Sequence, residues 1–270
     1  MRPSPVRPSP DWPGAAEAVW FEAIFPDGRA ALPVERAVAV EAPVAIELDG
    51  IALAVMMATP RDLEDFVTGF AAAERLIGPA EVPRAIAVHE TAEGIIVRAS
   101  LPGGGRERVY ARARRRVAES SCGLCGIESL AEVARPLPPV GRPLALAEGA
   151  VFAALGALGQ HQPLGRLTGA VHAAALCRPD GAIVLSREDV GRHNALDKAI
   201  GARARAGIGG DLFALSTARC SYELVEKAAL AGLGALVTIS APTTLAVARA
   251  RAAGLPLYAL ARADSVLRLA

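Results

Sequence analysis

Several features are missing from this 270-residue chain, and each absence closes a class of explanation. No apolar run approaches the roughly 18 residues that a membrane span requires. The opening stretch, Met1 to Pro13, alternates Pro, Ser and Arg and has no apolar h-region of the kind a secretory signal carries. Charge of one sign is also missing. The chain holds 29 Lys and Arg against 28 Asp and Glu, a net charge of +1, so no global field draws it to nucleic acid or to an anionic membrane. Cysteine is scarce: four in the whole chain make no disulfide framework. These absences lead us to expect a cytoplasmic protein with no membrane or nucleic-acid partner. What is abundant is apolar sequence, at 52% hydrophobic residues, enough to bury a full core in two modest domains.

Half of the cysteine lies in one stretch, Ser121-Cys122-Gly123-Leu124-Cys125-Gly126. In a reducing compartment a Cys-x-x-Cys pair serves redox chemistry, a metal or catalysis more often than structure. The spacing leaves all three open. Gly123 and Gly126 permit unusual dihedrals and leave no side chain to block an incoming partner. Arg106, Arg108, Arg112, Arg114, Arg115 and Arg116 crowd the approach. Such a run is either a solvated face or a cationic environment that lowers a thiol's pKa from about 8.5, favouring the reactive thiolate. Cys177 and Cys220 stand alone and read as small apolar fillers.

The first half reads as β-rich. Val34 to Val44 and Ile46 to Met56 are strand-like, and Asp49-Gly50 between Leu48 and Ile51 is a strong two-residue hairpin signal. Thr59-Pro60 supplies an N-cap and an N1 proline for a helix in which Leu63, Phe66, Val67, Phe70 and Ala71 recur at helical spacing up to Gly78. Ile86 to Glu90 and Ile95 to Ala99 are further strands, and Gly103 to Gly105 a turn. The boundaries expected are a disordered proline-rich lead over 1–20, a small α+β domain over 21–116, a cysteine loop and linker over 117–146, and an α/β domain over 147–270.

From Ala147 the period changes. Ala150 to Leu158 reads as helix, as does Thr168 to Leu176, and the turn Arg178-Pro179-Asp180-Gly181 follows. Strands at 182–185, 212–215, 236–239 and 257–261 then alternate with helices at 191–202, 221–231 and 243–253. Repeated βα of this kind implies a mostly parallel sheet with ligands at the strands' C-terminal ends. Polar residues collect there: Ser186 to Asn194 with Arg187, Arg192 and His193; Ser216 to Tyr222 with Arg219 and Ser221; Ser240 to Thr244. Hydroxyls, arginines and helix N-termini together favour an anion such as phosphate. The competing reading is that Ser216, Ser221, Ser240 and Thr243 cap helices. His193 is read as a pocket residue, His172 equally as a pocket or a core residue, and His89 and His161 as surface residues.

Together these residues resemble a known family. Ser121 to Gly126, Thr168-Gly-Ala-Val-His-Ala-Ala-Ala-Leu176, Arg187-Glu-Asp-Val-Gly-Arg-His-Asn-Ala-Leu-Asp-Lys198, Ser221-Tyr-Glu-Leu-Val-Glu-Lys-Ala-Ala229 and Ser240-Ala-Pro-Thr243 are similar to the successive signatures of the FdhD family of formate dehydrogenase accessory sulfurtransferases, and Thr59 to Phe70 resembles its first-domain helix. The resemblance runs from about residue 35 to 262. It implies a three-layer αβα second domain of the cytidine-deaminase type. It also implies an activity: sulfur taken from a cysteine desulfurase as a persulfide on Cys122, then passed to the molybdenum bis(guanine dinucleotide) cofactor of formate dehydrogenase. Cys125 is the neighbouring thiol. The stretch that the resemblance implies to touch the cofactor is Leu260, Ala261, Arg262, Ala263, Asp264 and Ser265; the reading of the loops and histidines above adds Arg219, Ser221, Arg192, His193 and His172 as candidate contacts for it or a guanine nucleotide. The sequence departs from the family pattern at Ala218, Ala263 and Ser265. A homodimer without a permanently bound metal is the implied assembly.

Two readings from other classes lack necessary residues. A zinc-dependent deaminase would use Cys122 and Cys125 as ligands, but it also needs a His-x-Glu ahead of the cysteines. Only His89 precedes Cys122, and Glu90-Thr91 follows it. A nucleotide-binding adaptor with a structural zinc would need two further ligands, and there is no second Cys-x-x-Cys.

Overall fold

The computed structural model describes residues 14–103, 105–119 and 135–270. The cysteine pair, Cys122 and Cys125, lies outside the described residues. The chain begins with a two-stranded antiparallel ribbon, β1 (Ala16–Ala23) and β2 (Leu32–Ala39). β1 starts inside the span read as a disordered lead. A four-stranded sheet follows in the order β4-β3-β6-β5, built from β3 (Ala42–Leu48), β4 (Ile51–Ala58), β5 (Arg84–Glu90) and β6 (Ile95–Ser100). The β3–β4 hairpin turns on Asp49 and Gly50, at φ 50° and 78°, as the two positive dihedrals of a tight hairpin turn demand. Helix α1 (Leu63–Ala73) closes this sheet, burying Leu63, Phe66, Val67 and Phe70 with Val44, Ile46, Leu48 and Val97.

Thr59 does not cap α1. The residue at the N-cap is Asp62, and its side chain makes no capping bond. Thr59 is instead buried at the join with the second half of the chain, where its polar groups are spent on Asp189, Val190 and Lys198. Helix α2 (Arg106–Glu119) packs on β4.

The second half is a six-stranded sheet in the order β12-β11-β10-β9-β7-β8. Its elements in chain order are α3 (Glu148–Leu158), α4 (Pro163–Thr168), β7 (His172–Cys177), β8 (Ile183–Asp189), α5 (Arg192–Arg205), β9 (Phe213–Ser216), α6 (Tyr222–Leu230), β10 (Leu236–Thr238), α7 (Thr244–Ala253), β11 (Leu257–Ala259) and β12 (Leu267–Arg268). One core joins the sheet to α5, α6 and α7; another joins its opposite face to α3. The arrangement is therefore αβα.

Two sequence expectations change. Thr168 to Leu176 is not a second helix: α4 ends at Thr168 and β7 begins at His172. The alanines favour helix intrinsically, but β7 lies between β8 and β9 and is buried on both faces, with Ala174 and Leu176 in one core and Ala175 and Cys177 in the other. Tertiary burial overrides propensity. The sheet is also mixed rather than mostly parallel by ladder, because only β9–β10 and β10–β11 pair parallel, and β7 runs antiparallel to both neighbours. Its reversal nonetheless leaves β8, β9, β10 and β11 pointing the same way. Their C-terminal ends share one edge, which positions the site.

The halves meet where α1 crosses α5 almost backbone to backbone. A Cβ on Gly69 would lie 1.8 Å from the Asp197 carbonyl oxygen, and one on Gly201 would lie 1.9 Å from that of Asp65. Only glycine allows this approach. The same seam buries Lys198 and Asp189, both with fully buried side chains and 2.6 Å apart. Asn194 reaches across to the Met57 carbonyl, and Asp65 accepts from both Arg187 and Arg205.

Candidate functional site

Strand direction assembles the site. At the edge where β8 to β11 end, the chain leaves through Val190 to His193, Thr217 to Ser221, Ile239 to Thr243 and Leu260 to Ser265. β7 starts at the same edge, where His172 stands opposite Asp189 and Ala174 opposite Ser216. The loops are tied to one another by backbone bonds. Cys220 donates to Ala241 and Thr243 to Cys220; Leu260 donates to Ser240 and Ala261 to Thr238. Leu260 takes a left-handed φ of 50°, uncommon for a residue with a branched side chain, and marks the turn from β11 into Ala261–Ser265.

The residues expected at the site divide into those drawn together and those left at the rim. His172, Arg192 and His193 converge: burial lowers the pKa of His172, and the charges of Arg192 and His193 lower it further. His172 is thus neutral at pH 7. Arg192 is half-buried and its Nε has no hydrogen-bond partner among the described residues. Ser221 occupies the N-cap position of α6, yet its hydroxyl makes no capping bond. It lies 3.2 Å from His193 Nε2 and 3.4 Å from Glu223 Oε2. Thr243 does cap its helix, accepting from the Ala246 amide. Arg219 is exposed, as are Arg262, Ala263, Asp264 and Ser265, while Ala261 is buried. Arg262 donates to the Ile239 carbonyl, and its own amide donates to the Ser265 carbonyl, closing a turn.

Arg187 leaves the anion-site group. β8 runs to Asp189, so Arg187 sits within the strand and spends its guanidinium on Asp65 and Asp62 of the first half. Cys177 and Cys220 are buried and unpaired, and burial pushes both thiols up to about 12. Neither is a thiolate at neutral pH, in keeping with their reading as fillers.

Three residues missed in the sequence complete the geometry. Glu223, Glu226 and Lys227 of α6 line a cleft of about 230 Å³ with His193, Glu74 and an apolar wall from β4 and α1 that includes Ala54, Met56 and Phe70. His193 Nε2 lies 2.7 Å from Glu223 Oε2, and this bond holds the Glu223 carboxyl below the usual carboxylate range. Lys227 Nζ bonds both oxygens of buried Asp197 at 2.7 Å. Glu223 and Lys227 are four residues apart on α6, a spacing that places them on one helix face. Their meeting with β4 and α1 has no sequence signal, because those elements lie over 140 residues away. Among the described residues, no cluster of three His, Cys, Asp or Glu side chains could hold a metal ion. No helix there is long and apolar enough to cross a membrane.

Comparison with known proteins adds an independent observation. Over 231 residues the chain is 44% identical to the "Sulfur carrier protein FdhD" of Variovorax paradoxus strain S110, spanning 85% of this chain and 83% of that relative. It is 46% identical over 236 residues to the protein of the same name from Xanthomonas euvesicatoria pv. vesicatoria, spanning 87% and 84%. A crystal structure from Desulfotalea psychrophila shares the fold, with a TM-score of 0.74 at 23% identity, covering 94% of this chain and 96% of that one. The sequence model of the FdhD/NarQ family matches residues 39–267, and the chain belongs to that family.

Proposed function

We propose that this protein is a sulfur carrier that supports formate dehydrogenase by delivering sulfur to its molybdenum cofactor. One observation carries the reading: near-full-length similarity, at 44–46% identity, to relatives named as sulfur carrier proteins. The fold match is to a chain assigned to the formate dehydrogenase accessory proteins, which agrees. Cys122 is the carrier thiol. The buried Cys177 and Cys220, pushed up to about 12, leave the Cys122–Cys125 stretch as the source of a reactive sulfur.

The transfer is a thiol exchange. A Cys122 thiolate attacks the terminal sulfur of a persulfide on a cysteine desulfurase; a new S–S bond forms, the donor's S–S bond breaks, and the donor leaves as its thiolate. Cys122 then carries the persulfide, with no net oxidation. The second transfer passes that sulfur to the molybdenum bis(guanine dinucleotide) cofactor, which is cargo rather than a resident group. The strand-end edge suits such an anion. It offers an Arg192 Nε without a partner among the described residues, an exposed Arg219 and the N-termini of α6 and α7, with Leu260 to Arg262 bonded to the same edge. We assign the six-stranded domain to the cytidine-deaminase type and expect a homodimer working in the cytoplasm.

The test is replacement of the carrier. Cys122→Ala in cells lacking the native protein abolishes formate dehydrogenase maturation while the purified variant stays folded. Normal maturation by that variant excludes Cys122 as the carrier.

A further inference from the structure

Thr59 leads from β4 towards α1 and carries the first half of the chain to the strand-end edge of the second. It is fully buried, and its polar groups cross between the halves. The Thr59 amide donates to Asp189 Oδ2 at 3.1 Å, the carbonyl accepts from Lys198 Nζ at 2.9 Å, and Oγ1 accepts from the Val190 amide at 3.1 Å. The first two bonds use backbone groups that any residue but proline has. The third needs a hydroxyl.

That third bond falls on a two-residue turn. β8 ends at Asp189 and α5 begins at Arg192, so Val190 and Gly191 alone connect them. Both of their amides are held, Val190 by Thr59 and Gly191 by Asp189 Oδ1 at 2.7 Å. The next two residues are Arg192 and His193, and the direction in which they leave follows from the turn. Arg192 Nε has no partner among the described residues, so no bond at that nitrogen fixes the side chain independently. Thr59 is well suited to aim its hydroxyl. Pro60 confines it to extended backbone, and branching at Cβ narrows its χ1. Nor is the hydroxyl needed as a cap, because Asp62 holds the N-cap position of α1.

We propose that Thr59 is a positioning residue for anion binding at the strand-end edge: its hydroxyl fixes the Val190–Gly191 turn and thereby aims Arg192 and His193. This rests on the reading of that edge as the nucleotide site. The site then depends on both halves, although the residues expected to touch the ligand all lie in the second. The effect is pre-organisation, since a turn already held in its binding geometry loses less freedom when the anion arrives. By linkage, an anion that engages Arg192 strengthens the Thr59–Val190 bond in return.

The experiment uses the full chain and GDP, which carries the guanine base and diphosphate of the cofactor's dinucleotide arm. In calorimetric titration, Thr59→Val keeps the side-chain shape, loses the hydroxyl and binds GDP about fivefold more weakly, the worth of about one hydrogen bond. Thr59→Ser keeps the hydroxyl and stays within about twofold of the parent. Gly201→Ala disturbs the α1–α5 crossing well down α5 from Arg192 and also stays within about twofold. A merely structural role would lower the number of binding sites per chain and leave the dissociation constant of the folded molecules unchanged. Hydrogen exchange of the Val190 amide is the second readout. Thr59→Val speeds it about tenfold in the free protein, and saturating GDP slows it in the parent. GDP affinity of Thr59→Val within about twofold of the parent, or an equal loss in Gly201→Ala, overturns the proposal. Should Thr59→Val fail to fold, a Val190 exchange rate that GDP leaves unchanged in the parent overturns it instead. A parent that binds no GDP, while Thr59→Val still frees the Val190 amide, overturns the nucleotide reading of the edge and upholds Thr59 as the residue that sets the turn.

Discussion

The seam between the two halves and the strand-end edge draw on the same stretch of sequence, Arg187 to Lys198, and treat it oppositely. At the seam the buried polar groups are answered: Lys198 by Asp189 and the Thr59 carbonyl, Asp65 by Arg187 and Arg205, and the Asn194 amide by Asp189 and the Met57 carbonyl. At the edge, one turn away, Arg192 keeps an Nε with no partner among the described residues, and Arg219 is exposed. Buried polar groups are costly unless paired, so the seam must be closed, while a binding edge must keep donors in reserve. A dense polar motif is therefore part clamp and part site.

The comparison breaks most sharply at Lys198. Lys198→Met strands the buried Asp189 carboxylate and lowers unfolding stability by about 3–5 kcal/mol, read by urea denaturation. A loss under 1 kcal/mol would mean that the pair is not closed. Next is the helix crossing. Alanine in a helix gains about 0.5–1 kcal/mol over glycine, but at position 201 its Cβ would meet the Asp65 carbonyl, and overpacking costs about 1–3 kcal/mol. Gly201→Ala is thus net destabilising by up to about 2.5 kcal/mol; a stabilised variant would contradict the close crossing.

The edge behaves the other way. Arg219→Ala changes stability by less than about 0.5 kcal/mol, because the side chain is exposed. The same variant weakens a guanine nucleotide about tenfold in calorimetric titration, or about 1.4 kcal/mol; equal affinity removes Arg219 from the site. The smallest effect is in acid. Glu223 titrates below its ordinary value in the folded protein because it accepts a bond from His193. Its contribution to stability is therefore present above about pH 4.3 and is lost as pH falls through the folded value. The stability gap between parent and His193→Gln should narrow from pH 7 to pH 3; a constant gap would show that the bond does not stabilise the fold.

Local chemistry made much of this fold legible. Asp49-Gly50 specified the β3–β4 hairpin, the spacing of Leu63, Phe66 and Phe70 specified α1, and helix-strand alternation after residue 182 placed three polar loops on one edge. That edge forms even though the sheet is mixed, since the reversed strand β7 leaves β8 to β11 aligned. What stayed hidden depends on contacts between distant residues. Alanines 173 to 175 favour helix until two cores enclose them. Thr59-Pro60 looks like a helix start until Asp189 and Lys198 arrive from 130 or more residues away. Glu223, Glu226 and Lys227 look like the wet face of α6, and only β4 and α1 turn them into a cleft.

The central claim is that Cys122 carries sulfur. Incubating the full-length protein with a cysteine desulfurase and L-cysteine, then measuring its mass under non-reducing conditions, tests it directly. The account predicts one added sulfur that is removed by reductant, retained in Cys125→Ala and absent in Cys122→Ala. An unchanged mass, or added sulfur that persists in Cys122→Ala, would contradict it.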